Sequence, residues 1–328
     1  MSELLAWYDR ERRDLPWRRT RDPYAILVSE VMLQQTRVEV VIPYYQRFLS
    51  RFPDVHSLAS APLDSVYELW AGLGYYRRAR NLQATAQAVV AAGGFPADLR
   101  VLPGVGEYTA AALDSIAFGR PAVALDGNAL RVWARYFAYS EAVLSSAARR
   151  FFVERVSGLI PPDRAGDFTQ AVMELGARVC LPRQPRCLVC PLQSGCQALA
   201  QGLTGTIPKP AARARREKVA LCALRIFNGE RVLLERRESD PFLAGQWVTP
   251  WFFEPFASVG ADYLTRFPGT APRRVGTVSH GVTFRDLTVE VWEWETSQES
   301  CAEGQRWADR DTRVPRLASL VLELQSIS

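Results

Sequence analysis

Four cysteines follow one another closely: Cys180, Cys187, Cys190 and Cys196, with gaps of six, two and five residues. Thiolates this close can enclose one metal centre, and Cys222 and Cys301 fall outside the pattern. Tetrahedral zinc usually takes two close pairs, whereas uneven gaps favour an iron–sulfur cluster. The spacing alone leaves both open. Two carboxylates raise a second question. Glu30 lies in LVSEVMLQQT and shares a helix face with Ile26, Leu27 and Leu33. Burying its charge there is costly unless it is paired or protonated. Asp126, in VALDGNALRV, stands just ahead of a helix, where a carboxylate is an ordinary N-cap. Brought to one cleft, the two carboxylates could divide acid and electrostatic work between them.

The inventory of other groups narrows the chemistry. Lys209 and Lys218 are the only lysines, so residues 1–200 offer no amine for a Schiff base. With His56 and His280 as the only histidines, His-rich metal sites and Ser-His-Asp logic are largely excluded. A net charge of +5 permits nucleic-acid binding, and solubility accounts for it equally well. At 48% hydrophobic and 23% charged residues, the composition is that of a soluble globular protein, with no apolar run of membrane-span length. The opening MSELLAWYDRERRDLPW is charged too early for a signal peptide, so the expected compartment is cytoplasmic, with reduced or metal-bound cysteines.

The elements that must position these groups fall into two styles. Residues 1–200 read as helices with short connections: one starting at Asp22-Pro23, then 38–51, 75–92, 107–118, 127–138, 145–158 and 164–179. Between them, LPGVGEYTAAAL (102–113) can form a tight hairpin at Gly104 and Gly106, whose helix-start N–H groups could hold a phosphate. A plain turn fits that short motif equally well. Trp17, Arg18, Gln35, Tyr75 and Tyr76, taken singly, read as core or surface material. QGLTGTIPKPAARARRE (201–217) is a basic, Gly/Pro-rich connector. Beyond it, VALCALRIF and RVLLERRE read as strands around the Asn228-Gly229 turn. LTVEVWEW alternates as a further strand, and PRLASLVLELQ closes the chain as a helix. With 328 residues, two domains with separate cores are expected.

Taken together, the chain resembles the MutY-type adenine DNA glycosylases of the helix-hairpin-helix superfamily. The resemblance is carried by PWR (16–18), SEVMLQQTRVEVVIPYY (29–45), LWAGLGYYRRARNL (69–82), LPGVGEYTA (102–110), LDGNALRV (125–132), MELGARVC (173–180) and the four-cysteine spacing. It implies an all-α glycosylase domain over 1–200, with the hairpin at about 99–118 and an iron–sulfur loop at 180–196. A linker (201–217) and a small α+β MutT/Nudix-like domain (218–328) follow. It also implies one [4Fe–4S] cluster per chain on Cys180, Cys187, Cys190 and Cys196. The implied partner is duplex DNA with adenine opposite 8-oxoguanine or guanine, bound by a monomer without any membrane.

The implied roles are specific. Glu30 would protonate adenine and help to activate water, Asp126 would stabilise or capture the sugar cation, and Asn128 would orient the carboxylates. Tyr108 stands where related bifunctional enzymes carry a lysine nucleophile, which implies base removal without efficient strand cleavage. Trp17, Arg18 and Glu174 would contact the extruded adenine. Gln35, Leu73 and Tyr75 would meet the duplex near the lesion, and Gly104 and Gly106 would hold a phosphate. In the second domain no Gly-x5-Glu…Arg-Glu-x2-Glu-Glu array is present, so it is expected to recognise rather than hydrolyse. VSHGV (278–282) matches the family's lesion-reading loop with Val278 in the usual Phe place, leaving Ser279 and His280 to read 8-oxoguanine. The competing readings are a thymine-mismatch or endonuclease III-like glycosylase, and a non-catalytic iron–sulfur DNA-binding protein.

Overall fold

Asp22 starts the helix that carries Glu30: its carboxylate accepts from the Tyr24 and Ala25 amides, and Pro23 follows at the first helical position. In this computed structural model the described residues are 1–209, 216–239, 243–282, 284–312 and 314–324. Part of the expected linker, 210–215, lies outside them. The chain divides into two compact units, Met1–Leu69 with Arg77–Ala212, and Trp70–Tyr76 with Arg213–Ser328. The division is thus not a single cut in the chain. Gly72, Gly74 and Tyr75 all have positive φ, which turns Trp70–Tyr76 off the helical path.

The first unit is helical: α1 (Ser2–Glu11), α2 (Pro23–Leu33), α3 (Val38–Arg51), α4 (Val55–Ala59), α5 (Leu63–Trp70, running into the turn), α6 (Arg77–Ala91), α7 (Glu107–Ile116), α8 (Gly127–Tyr136), α9 (Ser146–Ser157), α10 (Ala165–Arg178) and α11 (Gln197–Ala200). The sequence reading omitted α1, α4, α5 and the short α11. Yet Leu4, Leu5, Trp7 and Tyr8 of α1 are buried, in one core with Trp133 of α8 and Phe168 of α10. α2 is apolar all round and buried along its length, packed against α3, α6 and α7. That location forces the Glu30 side chain out of water.

The second unit is α+β, as expected. Its strands are β1 (Glu217–Asn228), β2 (Arg231–Arg236), β3 (Trp247–Val248), β4 (Trp251–Phe252), β5 (Arg273–Val282), β6 (Arg285–Glu295) and β7 (Gln305–Asp309), with helices α12 (Phe256–Arg266) and α13 (Arg316–Glu323). They form one sheet of order β3-β2-β1-β6-β5, with β4 added on β1 and β7 on β2. β1 and β2 pair across the Asn228-Gly229 turn, while β1 and β6 run parallel, with Leu221 opposite Val289. Alternation sends Leu221 and Ala223 to the face covered by α13, and Cys222, Leu224 and Ile226 to the face with Tyr263 of α12 and Phe267 just beyond it. Burial on both faces explains the unbroken apolar run in VALCALRIF. Cys222 is core material there.

Candidate active site

One cleft of about 530 Å³ in the first unit is lined by Glu30, Tyr108, Asp126, Asn128, Trp17, Arg18, Glu174 and Gln35. Eight residues chosen from separate sequence segments therefore meet. Glu30, in the last turn of α2, is buried, and the Tyr108 hydroxyl on α7 donates to its Oε2 at 2.6 Å. Burial pushes the Glu30 carboxyl up to about 7; the Tyr108 hydrogen bond opposes that rise, and the Asp126 charge adds to it. At neutral pH a substantial fraction of Glu30 holds its proton.

Asp126 caps α8, accepting from the Ala129 amide at 2.6 Å and from Asn128 Nδ2 at 3.2 Å. The ordinary N-cap role and the cleft role coincide in one side chain. Asp126 is half-buried, and burial raises its pKa against the hydrogen bonds from Ala129 and Asn128. The Ala129 and Asn128 hydrogen bonds favour its ionised form, against that burial.

The wall opposite is an arginine clamp. Buried Glu174 on α10 accepts from Arg13 Nε (2.9 Å), Arg13 Nη2 (2.8 Å) and Arg18 Nη2 (2.8 Å). Burial alone would raise its pKa, but the hydrogen bonds from Arg13 and Arg18 prevail and hold it at about 2. Glu174 is therefore an anion that orients two cations. Trp17 packs edge-on against Tyr45 with ring centroids 5.4 Å apart. Sequence reasoning missed Arg13, because one more arginine in ERRDLPWRR carries no distinguishing signal.

Arg131 was missed as well. From α8 it donates to Asn128 Oδ1 (2.8 Å), the Gly176 carbonyl (2.8 Å) and the Cys180 carbonyl (2.8 Å). The residue that orients Asp126 is thus tied to the first of the four cysteines. Gly176 is required at this crossing: a Cβ there would lie 2.6 Å from Asn128 Cβ. Cys180, Cys187, Cys190 and Cys196 line a separate cavity of about 30 Å³, beside Arg135. Arg135 Nη1 lies 3.4 Å from Cys180 Sγ and bonds the Leu181 carbonyl. Among the described residues no three of these thiols meet at single-ion spacing. They line one shared space.

Residues 28–157 match the family model described as HhH-GPD superfamily base excision DNA repair protein. The adenine DNA glycosylase of Homo sapiens is 36% identical over 382 residues, covering 94% of this chain and 70% of that protein. The chain belongs to the adenine DNA glycosylase family. The adenine DNA glycosylase of Buchnera aphidicola (subsp. Baizongia pistaciae) is 41% identical, over 60% of this chain and 57% of its own length. Among solved structures, a thermostable thymine-DNA glycosylase superposes with a TM-score of 0.56 at 31% identity, covering 61% of this chain and 94% of its own. A trapped endonuclease III–DNA covalent intermediate superposes with a TM-score of 0.51 at 25% identity, covering 62% and 94%. Both partial matches reflect the shared helical fold, whereas the human adenine glycosylase aligns well into the second unit.

Gly104, Gly106, Leu73 and Tyr75, also singled out in the sequence, are not among the residues lining the cleft. Gly104 sits in the turn between Leu99–Val101 and α7 with φ +76, and a Cβ there would lie 2.7 Å from Asn81 Cβ. Gly106 caps α7 with open space around it. Gly104 is demanded by conformation and packing; Gly106 leaves room at a helix N-terminus. Gln35 and Tyr75 are exposed non-glycine residues with φ of 59° and 51°. Leu73, buried, belongs with Tyr75 in the second unit.

Val278–Val282 is the end of β5, paired with β6, rather than a free loop: Ser279 faces Thr288 and His280 faces Leu287 across the ladder. Adjacent strand residues point to opposite faces. Val278 is buried in the core with α13, His280 shares its face half-buried, and Ser279 is exposed on the other. Burial lowers the His280 pKa, and Arg316 lowers it further. Ser279 and His280 thus point to opposite faces of the sheet. The strand separates them.

Proposed function

We propose that this glycosylase hydrolyses the N-glycosidic bond of adenine paired with 8-oxoguanine, and less readily with guanine, in duplex DNA. The observation that carries the reading is Glu30: a buried carboxyl held near neutrality in a cleft shared with Asp126. Adenine leaves poorly as an anion. Glu30 gives its proton to N7, the C1′–N9 bond breaks, and positive charge develops on the sugar. The Asp126 carboxylate, fixed by Ala129 and Asn128, stabilises that cation or bonds to it, as in retaining glycosidases. Glu30, now ionised, takes a proton from the attacking water. To reach the cleft the adenine leaves the base stack, at a cost of a few kcal/mol. Gln35 and Tyr75 fill the gap left in the duplex. Trp17 and the Arg13–Glu174–Arg18 clamp then bound the extruded base. With Tyr108 in place of an amine, the enzyme leaves the strand uncut.

Cys180, Cys187, Cys190 and Cys196 hold one [4Fe–4S] cluster. Their common cavity and the neighbouring Arg135 charge fit an anionic thiolate-bound group. Bound there, the cluster supplies cross-links that fix the 180–196 loop, and Arg131 extends that order to Asn128. Ser279 reads the lesion from the exposed face of β5, with His280 supporting the strand from behind.

The test is excision from duplexes with adenine opposite 8-oxoguanine, guanine or cytosine, using wild type and Ser279→Ala. The reading predicts that 8-oxoguanine is preferred, and that Ser279→Ala narrows the preference by about tenfold, one lost hydrogen bond's worth. Thymine removal in place of adenine removal would instead support the thymine-mismatch alternative.

A further inference from the structure

We propose that Arg78 is a positioning residue that holds the end of the Glu30 helix and the Gln35 turn as one rigid piece. Arg78 lies in the first turn of α6 and is half-buried, between exposed Arg77 and Arg80 at neighbouring positions. Its Nη1 approaches the Val31 carbonyl at 2.9 Å and the Met32 carbonyl at 3.0 Å, and it also bonds the Gln34 carbonyl. Nη2 lies 3.2 Å from Thr36 Oγ1. These acceptors belong to the last turn of α2 and the residues just beyond it.

The physical need is plain at each end. The final carbonyls of a helix lack intrahelical partners and carry the negative end of its dipole, so a guanidinium satisfies both hydrogen bonding and charge. α2 stops because Gln34 leaves the helical region, with ψ of 112°. Gln35 then adopts φ of 59°, a left-handed conformation that is strained for a non-glycine residue. Such a residue persists when its surroundings fix it from both sides. Arg78 does so, binding the carbonyl before Gln35 and the hydroxyl after it. The same group grips the carbonyls of Val31 and Met32, the two residues that follow Glu30. One side chain therefore sets the pose of the residue assigned to the duplex and of the turn bearing the proton donor.

The inference rests on the reading that Gln35 enters the duplex, and the experiment separates the two. Full-length protein carrying Glu30→Gln, so that no base is lost, is bound to a duplex with 2-aminopurine opposite 8-oxoguanine. Fluorescence then reports extrusion of the base. Gln35→Ala, Arg78→Met, Arg78→Lys and the Gln35→Ala/Arg78→Met pair are compared, with circular dichroism and thermal unfolding for each. The expected result is a loss in extrusion equilibrium of roughly tenfold for Arg78→Met. Arg78→Lys should recover part of it, and the double variant should be little worse than Gln35→Ala alone. Helical content should stay unchanged. Normal extrusion by Arg78→Met, with only its melting temperature lowered, overturns the inference and makes Arg78 a structural cap. So does full additivity of the two substitutions. Normal extrusion by Gln35→Ala instead refutes the reading of Gln35, and the inference with it.

Discussion

The Tyr108 hydroxyl donates a 2.6 Å hydrogen bond to Glu30 Oε2, joining the start of α7 to the last turn of α2. That bond favours the ionised carboxylate and opposes the larger effect of burial. Tyr108→Phe should therefore raise the Glu30 pKa further. The alkaline limb of the single-turnover pH–rate profile is expected to move to higher pH, with a lower but measurable optimum rate. A limb that stays in place, or moves down, contradicts this role for Tyr108.

Glu30 should also be visible in stability. Its folded pKa of about 7 lies above the roughly 4.3 of an unfolded glutamate. Between those pH values the unfolded chain releases a proton that the folded protein keeps. The native state is thus fully favoured below the unfolded pKa and loses stability as pH rises towards 7, by on the order of 3 kcal/mol. Glu30→Gln should melt higher than wild type at pH 8 and close to it at pH 4. An equal difference at both pH values would count against a buried, titrating Glu30.

Gly176 has no side chain, yet its replacement should reach the chemistry. A Cβ would press on Asn128 Cβ at 2.6 Å and on its Cα at 3.1 Å. The α8–α10 crossing must then open or Asn128 must shift, at a cost of about 1–3 kcal/mol. Gly176→Ala should slow excision at saturating DNA while leaving duplex affinity nearly unchanged. A variant matching wild type in both rate and melting temperature would show that the crossing relaxes freely.

Strand chemistry gives an independent check. No lysine exists in residues 1–200, and the position facing Glu30 is Tyr108. Borohydride should trap almost no enzyme–DNA adduct, and nicking should need added alkali. Stoichiometric trapping by wild type would rule out the monofunctional reading.

Much of this was legible in the sequence because the informative residues are short-range signals. Asp22-Pro23 announced α2, Asn228-Gly229 announced the β1–β2 hairpin, and Glu30 stood out as a charge on an apolar face. α1 was missed because its hydrophobic residues read as an isolated polar start, although they complete the core around Trp133. Arg13, Arg78 and Arg131 were invisible for another reason. Each acts on carbonyls or carboxylates more than forty residues away along the chain for Arg13 and Arg78, and across a helix crossing for Arg131. In a domain whose basic residues are all arginine, type and spacing do not mark the ones that are buried and bonded. Ser279 and His280 show the opposite limit: their identity matched a motif, but only strand pairing revealed that they face apart.

The central claim is that Glu30 is the proton donor for adenine loss. The most direct measurement is single-turnover adenine excision from an adenine:8-oxoguanine duplex, between pH 5 and 9, by wild type and Glu30→Gln. The wild-type rate should fall as pH rises through about 7, the value to which burial carries Glu30. The Glu30→Gln rate should be lower by roughly 10²–10⁴-fold with DNA binding retained. A Glu30→Gln rate within tenfold of wild type, with the same pH dependence, would contradict it.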